Sequence, residues 1–92
     1  MRIMSINPEI KEKIKERVVI RYTLVLYNDD VNTFDHVINC LVRICNHELI
    51  QAEQCAWLVH HKGRCKVKNG SMKDLRQMCE SLLQNGLTAQ IE

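Results

Sequence analysis

Apolar and polar residues begin to alternate at Val18. Val18, Ile20, Tyr22, Leu24 and Leu26 fall on one face and Val19, Arg21, Thr23, Val25 and Tyr27 on the other, which predicts a strand with a core face and a mixed face. The alternation stops at Asn28-Asp29-Asp30, in a turn that runs to Asn32. From about Thr33 to Asn46 the period becomes helical, with Phe34, Val37, Ile38, Leu41 and Cys45 on one side and Asn32 or Thr33 placed to cap the start. A second helix is predicted from about Ile50 to His61 on the stripe Ala52, Cys55, Ala56, Leu58 and Val59, with Gly63 just past its end. Arg64 to Lys68 alternates again through Cys65 and Val67, and the turn pair Asn69-Gly70 is expected to end that strand. Ser71 with Asp74 three residues on has the form of a capping box. It opens a third helix that buries Met72, Leu75, Met78, Cys79, Leu82 and Leu83 and ends at Gly86. Leu87, Ala89 and Ile91 alternate in a last strand. The order is βααβαβ, which predicts an α+β fold: a three-stranded antiparallel sheet covered on one face by three helices.

Ahead of this core (18–92) stands an N-terminal extension, 1–17. Its stretch after Pro8 carries only Ile10 and Ile14 as apolar residues among Lys, Glu and Arg, so it is expected to be a mobile or loosely docked arm. Ninety-two residues, 46% of them apolar, suffice for one small domain with a modest core and exclude disorder throughout. Thirteen basic and 11 acidic residues are interspersed, with no concentrated basic face, so nucleic acid is not an expected partner. No apolar run reaches the length of a membrane span and the first residues carry no signal-peptide pattern, so a cytoplasmic address and no membrane partner are expected. The five cysteines are an odd number without a Cys-x-x-Cys pair. In a reducing compartment they read as small buried hydrophobes.

The chemistry concentrates on the first turn. Asn28, Asp29 and Asp30 set two carboxylates and an amide between a strand and a helix, with acceptor oxygens free to face a cation or an amine. Tightening of the turn itself is the competing reading. Adjacent carboxylates cannot flank a scissile glycosidic bond from opposite sides, and the loop lacks the alternating oxygens and central glycine of an EF-hand. His60 lies beside Val59 on the packed side of the second helix, where an imidazole near the Asp29 turn would add a polar group at the rim of an apolar pocket. His61 reads as a surface histidine favoured by the helix C-terminus. His36 and Cys40 have metal-ligand spacing, and His47, His60, His61 and Cys65 complete a zinc set on paper, but no tight paired motif supports one. No metal or cofactor is expected. A Cys-His pair lacks any marked oxyanion hole or orienting third group, so the chain is not expected to be an enzyme. Trp57 falls between the apolar stripe and the polar face, where it either packs on a neighbouring loop or anchors a partner.

Four segments resemble a known family. Tyr-Thr-Leu-Val-Leu-Tyr-Asn-Asp-Asp, Thr-Phe-Asp-His-Val-Ile, Leu-Val-His-His-Lys-Gly and the closing Gly-Leu are similar to the ClpS adaptors of bacterial Clp proteases, in register from Tyr22 to Glu92. The resemblance implies recognition of N-degrons: a free α-amino group and a large hydrophobic first side chain (Phe, Leu, Tyr or Trp) are held and passed to a ClpA-type AAA+ unfoldase. By position it implies Asn28, Asp29 and His60 as the residues on the α-amino group, with Asp30 and Asn32 supporting the turn. It implies a side-chain pocket of Val37, Ile38, Ala56, Val59 and Leu87, with Phe34 at its rim. An ammonium suits such a site, because an ionised Asp, an amide oxygen and a neutral imidazole nitrogen all accept hydrogen bonds. Where many members read Asn-Asp-Asp-Tyr-Thr-Pro-Met-Glu-Phe-Val, this chain reads Asn-Asp-Asp-Val-Asn-Thr-Phe-Asp-His-Val. Phe34 thus replaces a more flexible methionine, and Ala56 replaces a larger pocket residue, which favours Phe, Tyr or Trp as the side chain accepted. The competing function is a surface-docking modulator of a Clp ATPase or a ribosomal partner with no pocket, since the fold also resembles the C-terminal domain of the bacterial ribosomal stalk protein.

Overall fold

Leu24 and Leu26 are buried in the central strand, and the other elements are arranged around them. The computed structural model describes residues 20–92; the expected arm, 1–17, and Val18 and Val19 of the expected strand lie outside the described residues. Strand β1 (Tyr22–Tyr27) pairs antiparallel with β2 (Arg64–Gly70) on one side and β3 (Thr88–Ile91) on the other, in the sheet order β2-β1-β3. Among the described residues three helices, α1 (Phe34–Cys45), α2 (Leu49–Lys62) and α3 (Met72–Gln84), cover the face carrying Leu24 and Leu26. The architecture is the α+β sandwich read from the hydrophobic pattern.

The helix ends follow local chemistry. Thr33 caps α1, its hydroxyl accepting from the His36 N–H at 3.1 Å, and Ser71 caps α3 through the Asp74 N–H at 3.3 Å. Gly63 ends α2 at φ 92°, a left-handed conformation that a side chain would strain, and its N–H donates to the Val59 carbonyl at 3.0 Å.

Three details depart from the sequence reading. Ile20 precedes the β1 ladder, which starts where Tyr22 meets Gly70, and it is 69% exposed rather than core. Leu58 and Leu83 are exposed, because the buried stripes run through Val59 and Leu82 and the adjacent position points about 100° away. Asn69 and Gly70 continue β2 instead of ending it. They pair with Thr23 and Tyr22, and the Thr23 hydroxyl donates to the Asn69 side-chain oxygen at 2.8 Å, so cross-strand pairing overrides turn propensity. Opposite them the register shifts between Leu24 and Val25, leaving Val67 as the extra residue of a bulge. Beyond the bulge Lys68 reaches the Cys45 carbonyl at the end of α1, at 3.4 Å, where a cation suits the unpaired carbonyls.

The thiols are free. Cys40, Cys45, Cys55 and Cys79 are buried, as small hydrophobes would be, and burial pushes the Cys45 thiol up to about 11. Half-buried Cys65 is the exception, since a hydrogen bond from the Cys55 thiol holds it below its ordinary value and raises Cys55 in turn. Near pH 8 Cys65 is therefore expected to react first with a disulfide reagent, and Cys65→Ser should remove that fast phase. Modification of Cys45 ahead of Cys65, read by mass spectrometry, would contradict this.

Candidate functional site

The β1–α1 turn is held in shape by its own side chains. The Asp29 carboxylate accepts from the Val31 N–H at 3.0 Å and the Asn32 N–H at 2.9 Å through Oδ1, and from Asn32 Nδ2 at 2.8 Å through Oδ2. Asn32 Nδ2 also donates to the Gly86 carbonyl at 2.8 Å, tying the turn to the loop between α3 and β3. Gly86 sits at φ 85°, so the loop reaches this point in a conformation few other residues adopt. A third tie runs to α2, where the Asn28 N–H donates to the Gly63 carbonyl at 3.0 Å. The turn is thus fixed against both neighbouring segments.

Between these three segments lies a cavity of about 350 Å³. Leu26, Val37, Ala56, Val59 and Leu87 give it apolar walls, and Asn28, Asp29, Asp30, Asn32 and His60 give it polar ones. Phe34 and His60 stand at its exposed rim, their rings edge to face at 6.3 Å and 87°. Of the residues singled out in the sequence, Ile38 is absent from the lining. It packs against the core, because Val37, one helical position away, takes the cavity face of α1. Leu26 and Tyr27 line the cavity without having been singled out, although the alternation that placed Leu26 on the core face was a usable signal. Asp30 was expected to support the turn and does not: it makes no hydrogen bond among the described residues and lies exposed at the cavity. Asp29 and Asn32 hold the turn, since Asp29 is the residue two and three positions before the amides that need an acceptor.

Asp29 also carries the electrostatics. Burial pushes its carboxyl up, but the backbone and side-chain hydrogen bonds from Asn32, the Val31 amide and the nearby His36 outweigh this and hold it below the ordinary aspartate value. Three of its roughly four acceptor positions are used, which leaves about one, on Oδ2, for a ligand proton. The sign of the pH dependence follows. A carboxyl whose pKa is lower folded than unfolded contributes stability above its unfolded value of about 3.9, and that contribution is lost as pH falls through the folded value. Asp29→Asn is therefore expected to flatten the fall of the urea midpoint in the most acidic range, below about pH 4. An identical acid profile for wild type and variant would contradict the assignment.

Of the candidate metal and nucleophile groups, Cys40 Sγ lies 3.6 Å from His36 Nε2. His36 Nε2 donates to the Asn85 carbonyl at 2.9 Å, and His47 Nε2 to the Val67 carbonyl at 3.0 Å. Among the described residues no three His, Cys, Asp or Glu side chains converge as a metal site would require. His61 stacks on Trp57, ring centroids 4.4 Å apart, on the outer side of α2. Among the described residues no helix is long and apolar enough to cross a membrane.

An acceptor-rimmed apolar cavity on a three-stranded sheet defines a small α+β binding domain. The chain belongs to the ClpS family: residues 19–90 match the model of the ATP-dependent Clp protease adaptor protein ClpS. It is 32% identical over 85 residues to the ATP-dependent Clp protease adapter protein ClpS of Thermosynechococcus vestitus, covering 91% of this chain and 90% of that one. The Nostoc sp. protein of the same name is 28% identical over 88 residues, covering 91% and 88%. The human E3 ubiquitin-protein ligase UBR1 is 30% identical over 94 residues, which cover 95% of this chain but 5% of the ligase. The family is one of adaptors rather than enzymes, and the protease it serves is the Clp protease.

Proposed function

We propose that the cavity holds the first residue of an N-degron: a free α-amino group at the polar rim and a large apolar side chain against the apolar walls. The observation that carries this reading is the union, in one cavity, of three acceptors of different origin with an apolar wall. Asn28 offers an amide oxygen, Asp29 its remaining carboxylate position, and His60 a ring nitrogen when neutral. Three acceptors match the three N–H bonds of an ammonium. The cavity's size falls near the lower end of ligand pockets, roughly 300–1,000 Å³. Family membership supports the remainder: the held protein is delivered to a ClpA-type AAA+ unfoldase in the cytoplasm, and substrates begin with Phe, Leu, Tyr or Trp.

Ala56 sets the room available for that side chain, since a small residue stands here on the cavity face of α2. Ala56→Leu is expected to weaken binding of Trp-first and Phe-first peptides by at least about 5-fold, and of Leu-first peptides less, because extra methylenes in a filled site force displacement. Fluorescence anisotropy over a panel of first residues tests both statements. Equal binding of Ala-first and Phe-first peptides by the wild type would overturn the side-chain pocket.

A further inference from the structure

The cavity has a neighbour on the same helix. Gln54, Trp57 and Leu58 line a second hollow of about 320 Å³ on the outer side of α2. Ala56, Val59 and His60 of the first cavity and Gln54, Trp57 and Leu58 of the second centre about 160° apart round α2, with Trp57 the lining residue of the second that comes nearest His60. A row of aromatic rings joins them. Phe34 and His60 at the rim stand 6.3 Å apart, His60 and His61 follow at 4.9 Å, and His61 and Trp57 at 4.4 Å. Trp57 nevertheless remains 49% exposed and Leu58 38% exposed. Stacking between residues four apart stabilises the helix a little but does not call for a tryptophan left half in water beside an apolar hollow.

We infer that the hollow at Gln54, Trp57 and Leu58 is a second side-chain subsite, which takes a large apolar or aromatic residue downstream of the peptide's first. This rests on the reading of the first cavity as the site of the peptide's N-terminus. The peptide leaves that cavity at the exposed rim formed by Phe34 and His60, where the row of rings begins. An extended chain advances about 3.3–3.6 Å per residue, so the whole row is crossed within about five residues. The downstream residue therefore lies among positions two to five. The surface that lines the hollow is almost wholly apolar, which favours apolar and aromatic side chains there over small polar ones.

The test uses Phe-first, free-amine peptides with a Gly-Ser tail and a single Leu moved through positions two to five. One position is expected to gain about 3- to 10-fold in affinity over the all-Gly-Ser tail. Trp57→Ala should abolish that gain while leaving the Gly-Ser peptide's affinity unchanged, and Trp57→Phe should restore part of it. Trp57 is the chain's only tryptophan, so its emission should shift to the blue with the favoured Leu peptide and not with the Gly-Ser one. Phe-first binding that ignores every Leu position, with Trp57 emission unmoved, overturns the subsite and leaves the first cavity standing. A Trp57-dependent dimer in sedimentation without any downstream preference also overturns it, by assigning the hollow to a second copy of the chain. Failure of every free-amine peptide to bind removes the reading of the first cavity and this inference together.

Discussion

Replacing Asp29 by Asn is expected to weaken binding of a Phe-first peptide by about 10- to 150-fold, the range that 1.5–3 kcal/mol for a hydrogen bond to a charged group implies. The substitution keeps shape but changes two things. It removes the charge that faces the α-ammonium, and it sets an amide NH₂ where Oδ2 now accepts from Asn32 Nδ2. The turn then has two donors face to face, and the Asn32 side chain retains only its bond to the Gly86 carbonyl. Asp30→Asn is the matched control. It removes an equal charge from the same cavity without touching any hydrogen bond among the described residues, and as an exposed charge it should alter affinity by less than about 3-fold. Isothermal titration of both variants separates a local bond from a diffuse field: equal losses would assign the binding to net charge at the rim and not to Asp29.

The largest effect on stability is expected at Leu26. It is 1% exposed, belongs to the core cluster and also forms part of the cavity wall. Leu26→Ala removes packing from the central strand and should destabilise the fold by about 2–5 kcal/mol. For a domain of this size that lowers Tm by at least about 8 °C. Since stabilities of whole domains are about 5–15 kcal/mol, the variant is expected to retain little margin. A saturating Phe-first peptide should raise its Tm, because a ligand bound only by the folded state stabilises it by mass action. A Tm within about 2 °C of wild type, in thermal unfolding followed by circular dichroism, would show that Leu26 is not a core residue.

Most of the architecture was legible because each element carried its own period and its own stop signal. Thr33, Gly63, Ser71 and Gly86 punctuate the chain where the structure ends or begins its helices, and the stripes Val37-Leu41 and Leu75-Cys79-Leu82 are buried as spaced. The misreadings share a cause. Asn69-Gly70 looks like a turn in isolation, and only its pairing with Thr23 and Tyr22 keeps it in the ladder. Leu58 and Leu83 extend apolar stripes by one position, and periodicity cannot say which side of a stripe faces a neighbour. At the candidate site, local chemistry placed Asn28, Asp29 and His60 near one another only with the help of a family resemblance, since they lie about thirty residues apart and meet through the tie from Asn28 to Gly63. The division of labour between Asp29 and Asp30 was beyond the sequence, because both are aspartates in one turn and the difference lies in which oxygen faces the Val31 and Asn32 amides. Ile38 was lost for a similar reason: Val37 and Ile38 share one apolar stripe, and only the packing of α1 decides that Val37 turns to the cavity and Ile38 to the core.

The central claim is that the cavity recognises a free N-terminus. The most direct measurement is the affinity of one Phe-first peptide against the same peptide acetylated at its N-terminus, by fluorescence anisotropy. Acetylation leaves the side chain intact and replaces the ammonium by a neutral amide, so Asp29 loses its charged partner and binding should fall by at least about 10-fold. Equal affinity for the two peptides would contradict the account, since the acceptors Asn28, Asp29 and His60 would then play no part in holding the ligand.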